Sequence, residues 1–363
     1  MIVYIITIVL LFIFAISEEN FRLSSGVKRS MAFISFVFLV LQVGLRWETG
    51  TDWEPYYYHF ISFSGVPSII LSDFEYGYGL FEYIVKQLSD DYSVFLVLHA
   101  VIYYFLVFKG LNRYTSNFYL TLMLFYTLTI GILGSNRQLL ALAICLYSVR
   151  FVMEKKPILF FLSVFIATFF HTTALFFAVY YFLNRDVKPV VFISILVGAI
   201  VIGKTPIPSI IVTFFSELIG GNILYKASVY SETSLVKLSI IGLFKRLTFL
   251  AIFYYTRNQL KEKVSYYNIM FNGYFIGIIF YFLFADSLLI LVNRGSLYFN
   301  LMEPLLIASQ MLLLKRNGSN LVGVSILIVV SFVFFFQSIS AYSDLFLPYK
   351  GIFINTDFQR HLY

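Results

Sequence analysis

The sequence predicts an all-α, polytopic integral membrane protein with about 12 transmembrane segments, some short or broken, and two sizeable external loops. Three observations predict it. Of the 363 residues 60% are hydrophobic and only 12% charged, against about 45–50% and about 25% in a soluble domain. Aromatic residues are abundant, with 43 Phe and 28 Tyr, as lipid-facing helices and interfacial belts require. Basic residues gather in short loops between apolar runs while one long loop is acidic, the asymmetry of the positive-inside rule. The net charge of +7 is then the excess Lys and Arg of cytoplasmic loops, and no nucleic-acid partner is expected. The one cysteine, Cys145, excludes an intrachain disulfide and a Cys-based metal site. The sequence has no nucleotide-phosphate loop.

The elements follow in order. Residues 2–16 form the first helix, and the absence of a basic leader and a small-residue cleavage site marks it as retained. Arg22, Lys28 and Arg29 place loop 17–30 in the cytoplasm and the N-terminus outside. Helix 31–45 returns outward. Segment 46–91 has Glu48, Asp52, Glu54, Asp73, Glu75, Glu82, Asp90 and Asp91 against Arg46 and Lys86. That bias fits an external loop, and its Tyr and Phe content predicts short helices on the membrane surface. Helices 92–108, 118–133 and 138–153 come next, the last reaching Arg150, Lys155 and Lys156 in the cytoplasm.

As one long helix, 157–183 would put Arg185 and Lys188 outside. A break at His171-Thr172-Thr173 removes that conflict and leaves two halves shorter than the ~20 residues of a full span. Broken segments of this kind line polar cavities. Helix 189–203 leads to a second external loop, 204–236. Helix 237–255 carries Lys245-Arg246 near its middle, where pairing with Asp286 of helix 266–292 is expected. Helices 297–314 and 321–339 precede an external tail, 341–363. With no repeat and no appended soluble part, the chain reads as a single membrane-embedded domain, 1–363.

The candidate chemistry lies on the outer face. An intramembrane or membrane-edge cation is functional by default, and Arg137 and His171 emerge on one face if their two segments form a hairpin. Arg46 opens a Gly-flanked turn with Asp52, Trp53 and Tyr56, which suits phosphate recognition by the guanidinium and sugar packing on the aromatic rings. An interfacial anchor is the other reading of the same turn. Asp52 and Glu54 also offer two carboxylates to a metal, although no metal and no cofactor are expected. Arg294 stands at the outer mouth between two late helices. His59, His99 and His361 have no partners at metal-ligand spacing.

Taken together these residues resemble the EpsG-like, Wzy-type polysaccharide polymerases. The matching elements are Gly44-Leu45-Arg46 with Gly50-Thr51-Asp52 and Tyr56, then Phe74-Glu75-Tyr76-Gly77-Tyr78. They continue with Asn136-Arg137-Gln138 and Ala141, Ala167 and Phe170-His171-Thr172-Thr173-Ala174-Leu175, and Arg294 with Tyr298-Phe299 and Pro304. The resemblance implies an enzyme of the bacterial cytoplasmic (inner) membrane, its site facing the periplasm or cell exterior. It would polymerise undecaprenyl-diphosphate-linked oligosaccharide repeats, donor and acceptor both lipid-linked, within the bilayer. A chain-length regulator and a flippase are its implied accessory partners. On this reading Arg46, Arg137 and Arg294 hold the diphosphate. His171, with Asp52 and Glu75 behind it, supplies the base, although His171 also suits a donor to phosphate. Gln138, Trp53, Tyr56 and Tyr298 contact the substrate. A lipid-linked-sugar transporter, a glycan ligase and a membrane acyltransferase are the competing classes. Polar groups concentrated in external loops, rather than at the midplane, weigh against the transporter.

Overall fold

A computed structural model describes residues 1–211, 213, 240–285, 291–314 and 320–360. The protein is an all-α polytopic membrane protein. Six stretches are long and apolar enough to cross a bilayer: Ile2–Asn20, Ser25–Gly44, Tyr92–Tyr114, Tyr267–Phe284, Leu297–Leu314 and Leu321–Phe346. Four shorter apolar helices accompany them: Phe118–Ile132, Pro157–Thr168, Thr172–Phe182 and Pro189–Gly203. Among the described residues there is no strand, only the isolated bridges Arg46–Gly351 and Gly351–Ile354. Contacts divide the chain into two compact units, residues 1–175 with 307–363 and residues 176–306.

The first unit begins with α1 (Ile2–Asn20) and α2 (Ser25–Gly44). The cytoplasmic loop expected at 17–30 contracts to four residues, because α1 runs on to Asn20 and Ser24 caps α2 by accepting from Val27 N, so that Lys28 and Arg29 lie within the helix. Tyr4, Thr7, Ile8, Leu11 and Ala15 make one buried stripe on α1, while Ile2, Ile5, Ile6, Val9 and Ile13 face outward. An apolar outer face is what lipid requires. The acidic segment forms three short helices, α3 (Trp53–Ser62), α4 (Val66–Leu71) and α5 (Tyr76–Lys86). They close around buried Trp53, Tyr56, Phe60, Tyr78, Tyr92 and Phe95.

Next come α6 (Tyr92–Tyr114), whose N-cap Asp91 accepts from Ser93 N, and α7 (Phe118–Thr129), buried from Phe118 to Thr127. The expected helix to 133 ends in a 3-10 turn, Ile130–Ile132. Then follow α8 (Asn136–Met153) and α9 (Pro157–Thr168). The break predicted at His171 is present: α9 stops at Thr168, and a 3-10 helix runs from Thr172 to Phe182. Such helices seldom exceed 3–4 residues.

In the second unit, α10 (Pro189–Gly203), α11 (Ile240–Leu260) and α12 (Tyr267–Phe284) precede a π turn, Leu291–Gly295, and the short α13 (Leu297–Asn300). The helix expected at 266–292 is shorter, the one expected at 237–255 runs on to Leu260, and Arg257 is buried on it. There it donates to Asp186 Oδ1 at 2.9 Å and to Val187 O at 3.2 Å. Lys245 pairs with Glu303 at 3.0 Å, and Arg246 lies over the Tyr281 ring. Asp286, the partner expected for them, lies outside the described residues, as do most of loop 204–236 and His361.

Returning to the first unit, α14 (Glu303–Ser309) enters it from the second, followed by α15 (Met311–Leu314), α16 (Asn320–Ile339) and α17 (Ser343–Phe346). The tail then straps back over the turn after α2. Trp47 N donates to Lys350 O at 2.9 Å, Ile352 N to Leu45 O at 3.0 Å, and Tyr349 OH to Gln42 O at 2.6 Å. Lys350 Nζ adds an ion pair with Glu48 at 2.6 Å.

Candidate active site

Four junctions of the first unit meet here: the turn after α2, the entry to α5, the entry to α8 and the turn after α9. The first and third are clasped through glycine. Gly50 and Gly134 both have φ above +100° (110° and 114°), a conformation side chains resist. Thr51 N donates to Leu133 O at 3.0 Å and Gly50 N to Leu345 O at 3.0 Å. A Cβ on Gly134 would stand 2.7 Å from Thr51 N, and one on Gly50 would run into Leu133 O. Asp52 Oδ2 accepts from Ser135 Oγ at 2.5 Å, which fixes the residue before α8.

Arg46, expected at the diphosphate, is enclosed within the protein. Its exposure is 0%. Nη1 donates to Val43 O at 2.5 Å and Nη2 to Asn136 Oδ1 at 2.6 Å, while Nε makes no hydrogen bond. Burial pushes the guanidinium below its ordinary value. Asn136 is the node of this layer: its amide donates to Tyr92 OH at 3.3 Å, and its carbonyl accepts from His99 Nε2 at 2.8 Å.

Arg137, one residue on, is differently placed. Nη1 donates to Glu75 Oε2 at 2.5 Å and Nε to Tyr56 OH at 3.0 Å. The guanidinium lies 4.0 Å from the centroid of Phe74, a cation–π contact. Glu75 Oε1 accepts from Thr172 N at 3.0 Å, and Gly77 N donates to Phe169 O at 2.9 Å, so the start of α5 docks on the turn after α9. The carboxylate therefore sits between a guanidinium and a backbone amide, one residue from His171. The Arg137 and Glu75 side chains remain 18% and 15% exposed. Two of the five guanidinium N–H groups are used in these bonds, which leaves three. Burial raises the Tyr56 phenol, and Arg137 offsets part of that rise.

His171 is buried at 6% exposure. Thr173 Oγ1 lies 2.7 Å from Nδ1, and Thr173 N donates to the same nitrogen at 3.4 Å. A backbone N–H only donates, so Nδ1 is the acceptor and the neutral ring carries its proton on Nε2.

Several expected contact residues are interior. Trp53 is buried, stacked on Tyr57 at 4.9 Å and edge-on to Trp47 and Tyr92, so its faces are covered. Gln138 is buried in α8. Tyr298 is buried in the second unit, where Arg294 is half-buried within the π turn. Conversely, the sequence passed over Asn136 as a node, Phe74 beneath Arg137, and the tail. It also passed over His59, whose Nδ1 lies 2.7 Å from buried Glu82 and whose Nε2 lies 2.8 Å from Ser72 Oγ. Burial raises the Glu82 carboxyl, and His59 offsets it. The His59 ring stacks on the same Phe74 at 4.2 Å. Among the described residues no three of His, Cys, Asp and Glu gather as metal ligands.

The clasped turn, the Glu75 entry and the Arg137 and His171 junctions all fall within one family match, since the model of the EpsG family matches residues 30–351. The chain belongs to the EpsG family. No curated protein and no solved structure matches it. EpsG-family membership supports a role of the polysaccharide-polymerase type, in a multi-pass membrane protein.

Proposed function

We propose that this EpsG-family chain is a membrane glycosyltransferase that polymerises undecaprenyl-diphosphate-linked repeats at the outer leaflet of the cytoplasmic membrane. The observation that carries the reading is the Glu75 carboxylate held between Arg137 and Thr172 N, beside His171. Cationic and N–H donors gathered at one partly open point are what a diphosphate leaving group needs as charge grows on it.

In the reaction, an acceptor-sugar hydroxyl oxygen attacks the anomeric carbon of the donor glycan. The bond from that carbon to the diphosphate oxygen breaks, and its electron pair leaves with the lipid diphosphate. The remaining N–H groups of Arg137 and the Nε2–H of His171 receive the leaving oxygens, and Glu75 takes the hydroxyl proton. Arg137 serves carboxylate and diphosphate together because its fork has donors for both. Arg46 positions rather than touches, through Asn136 at the start of α8. Asp52 does the same through Ser135.

The test is a ladder assay. Purified protein in lipid, given the undecaprenyl-diphosphate-linked repeat with no flippase or ATP, is expected to build a ladder of glycans with or without chelator. A folded protein that makes no ladder but moves the lipid-linked sugar across liposomes would overturn the reading in favour of a transporter.

A further inference from the structure

A cavity of about 440 Å³ opens among α1, α2, α6 and α7, at the opposite end of α2 and α6 from Arg46. Its wall is Phe33, Phe36, Phe105, Phe108, Phe118 and Tyr119, and its polar rim holds Lys28, Lys109, Asn112 and Glu18. Lys28 and Gly44 are sixteen residues apart on α2, about 24 Å at helical rise, so this cavity and the candidate active site sit at opposite ends of the same helices.

The rim is cationic in a particular way. Glu18 accepts from Tyr119 N at 3.1 Å and feels the charge of Lys28, which leaves the rim one carboxyl against two ammonium groups, and Tyr119 OH donates to Lys28 O at 3.3 Å. Neither Lys28 nor Lys109 makes an ion pair with a carboxylate among the described residues. The Lys109 ammonium lies 5.7 Å from the Phe105 ring centroid, held against an aromatic wall. Two ammonium groups and an amide above an aromatic cleft are complementary to an anion that carries hydrocarbon. Basic pockets between membrane helices bind anionic headgroups in this manner. An all-apolar cleft would accept any chain, and bare surface lysines any counterion. The combination selects for both.

We infer that this cavity binds an anionic glycerophospholipid, its phosphate between Lys28 and Lys109 and one acyl chain along Phe33, Phe36, Phe105 and Phe108. The site is separate from the transferase site and independent of that reading.

The experiment is thermal unfolding of delipidated full-length protein in mild detergent. Phosphatidylglycerol, phosphatidylcholine, a polyprenyl phosphate and inorganic phosphate are added separately. Phosphatidylglycerol is expected to raise the melting temperature by about 4 °C, and the other three by much less. K28Q/K109Q is expected to lose that rise, whereas K155Q/K156Q, which removes the same charge from the α8–α9 turn, is expected to keep it. Ala32 also lines the cavity; should K28Q/K109Q fail to fold, A32W, which fills the cavity from that position, is expected to lose the rise with both lysines intact. Equal rises with phosphatidylcholine or inorganic phosphate would overturn the inference. So would a rise confined to polyprenyl phosphate, or one lost equally in K155Q/K156Q.

Discussion

Arg46 and Arg137 look alike in the sequence: each stands in a Lys-poor segment, expected to face outward, beside a helix end. In the structure they are opposites. Arg137 has a carboxylate partner, a phenol, an aromatic face and spare donors at a partly open edge. Arg46 is wholly enclosed and spends its charge on a carbonyl and an amide oxygen, while its Nε makes no hydrogen bond. A buried cation lacking a counter-charge is costly, so the surroundings of Arg46 must be held together by other contacts. The tail strap and the Asn136 layer do this. The lesson is that a membrane-edge arginine is defined by its partners, and the partners come from elsewhere in the chain.

The contrast can be broken experimentally. R137A is expected to lower polymerisation by about 10²–10³-fold per folded protein, beyond any loss of stability from leaving Glu75 and Tyr56 without their partner; an unchanged glycan ladder would remove Arg137 from the site. E75Q keeps the shape of the side chain and loses the proton acceptor, so about a 10²-fold loss is expected. A gain in rate would instead make Glu75 a competitor for the diphosphate. R46M should act on the fold. It leaves Asn136 Oδ1 and Val43 O without their donors, and a loss of about 1–3 kcal/mol in stability is expected for a deserted buried group. Were R46M to melt like wild type yet fail to polymerise, the two arginines would share a role after all. The smallest effect should come from Y56F, which removes one hydrogen bond to Arg137 worth about 0.5–1.5 kcal/mol, or up to roughly tenfold in rate.

Composition and the placement of charge sufficed for the fold class, and the break at His171 was legible from charge alone, since Arg185 and Lys188 had to be accommodated. The short helices of segment 46–91 were legible from its length and aromatic content. What stayed hidden was which side of those helices is interior. In a soluble protein Trp53 and Tyr56 beside Asp52 and Glu54 would show period and polarity. Here every face is rich in aromatics, and the pattern carries little contrast. The Arg137–Glu75 and Glu75–Thr172 contacts join residues 62 and 97 positions apart, and no local spacing encodes them. The tritopic role of Asn136 depends on His99 and Tyr92 arriving from α6, which is likewise a tertiary fact. His171 shows the remaining limit: its residue type allows base or donor, and the sequence does not say which ring nitrogen faces Thr173 N.

The strap between the tail and the turn after α2 joins residues 301 positions apart in the chain. At ribosomal speeds of about 5–20 residues per second, the second partner is made roughly 15–60 s after the first. Through that interval the turn that encloses Arg46 must wait at the membrane surface without its cover. The turn around Arg46 is thus completed only after the distant segment that covers it has been made. A chain cut short before Lys350 would insert its helices and still carry an open seam around an arginine built to be closed in.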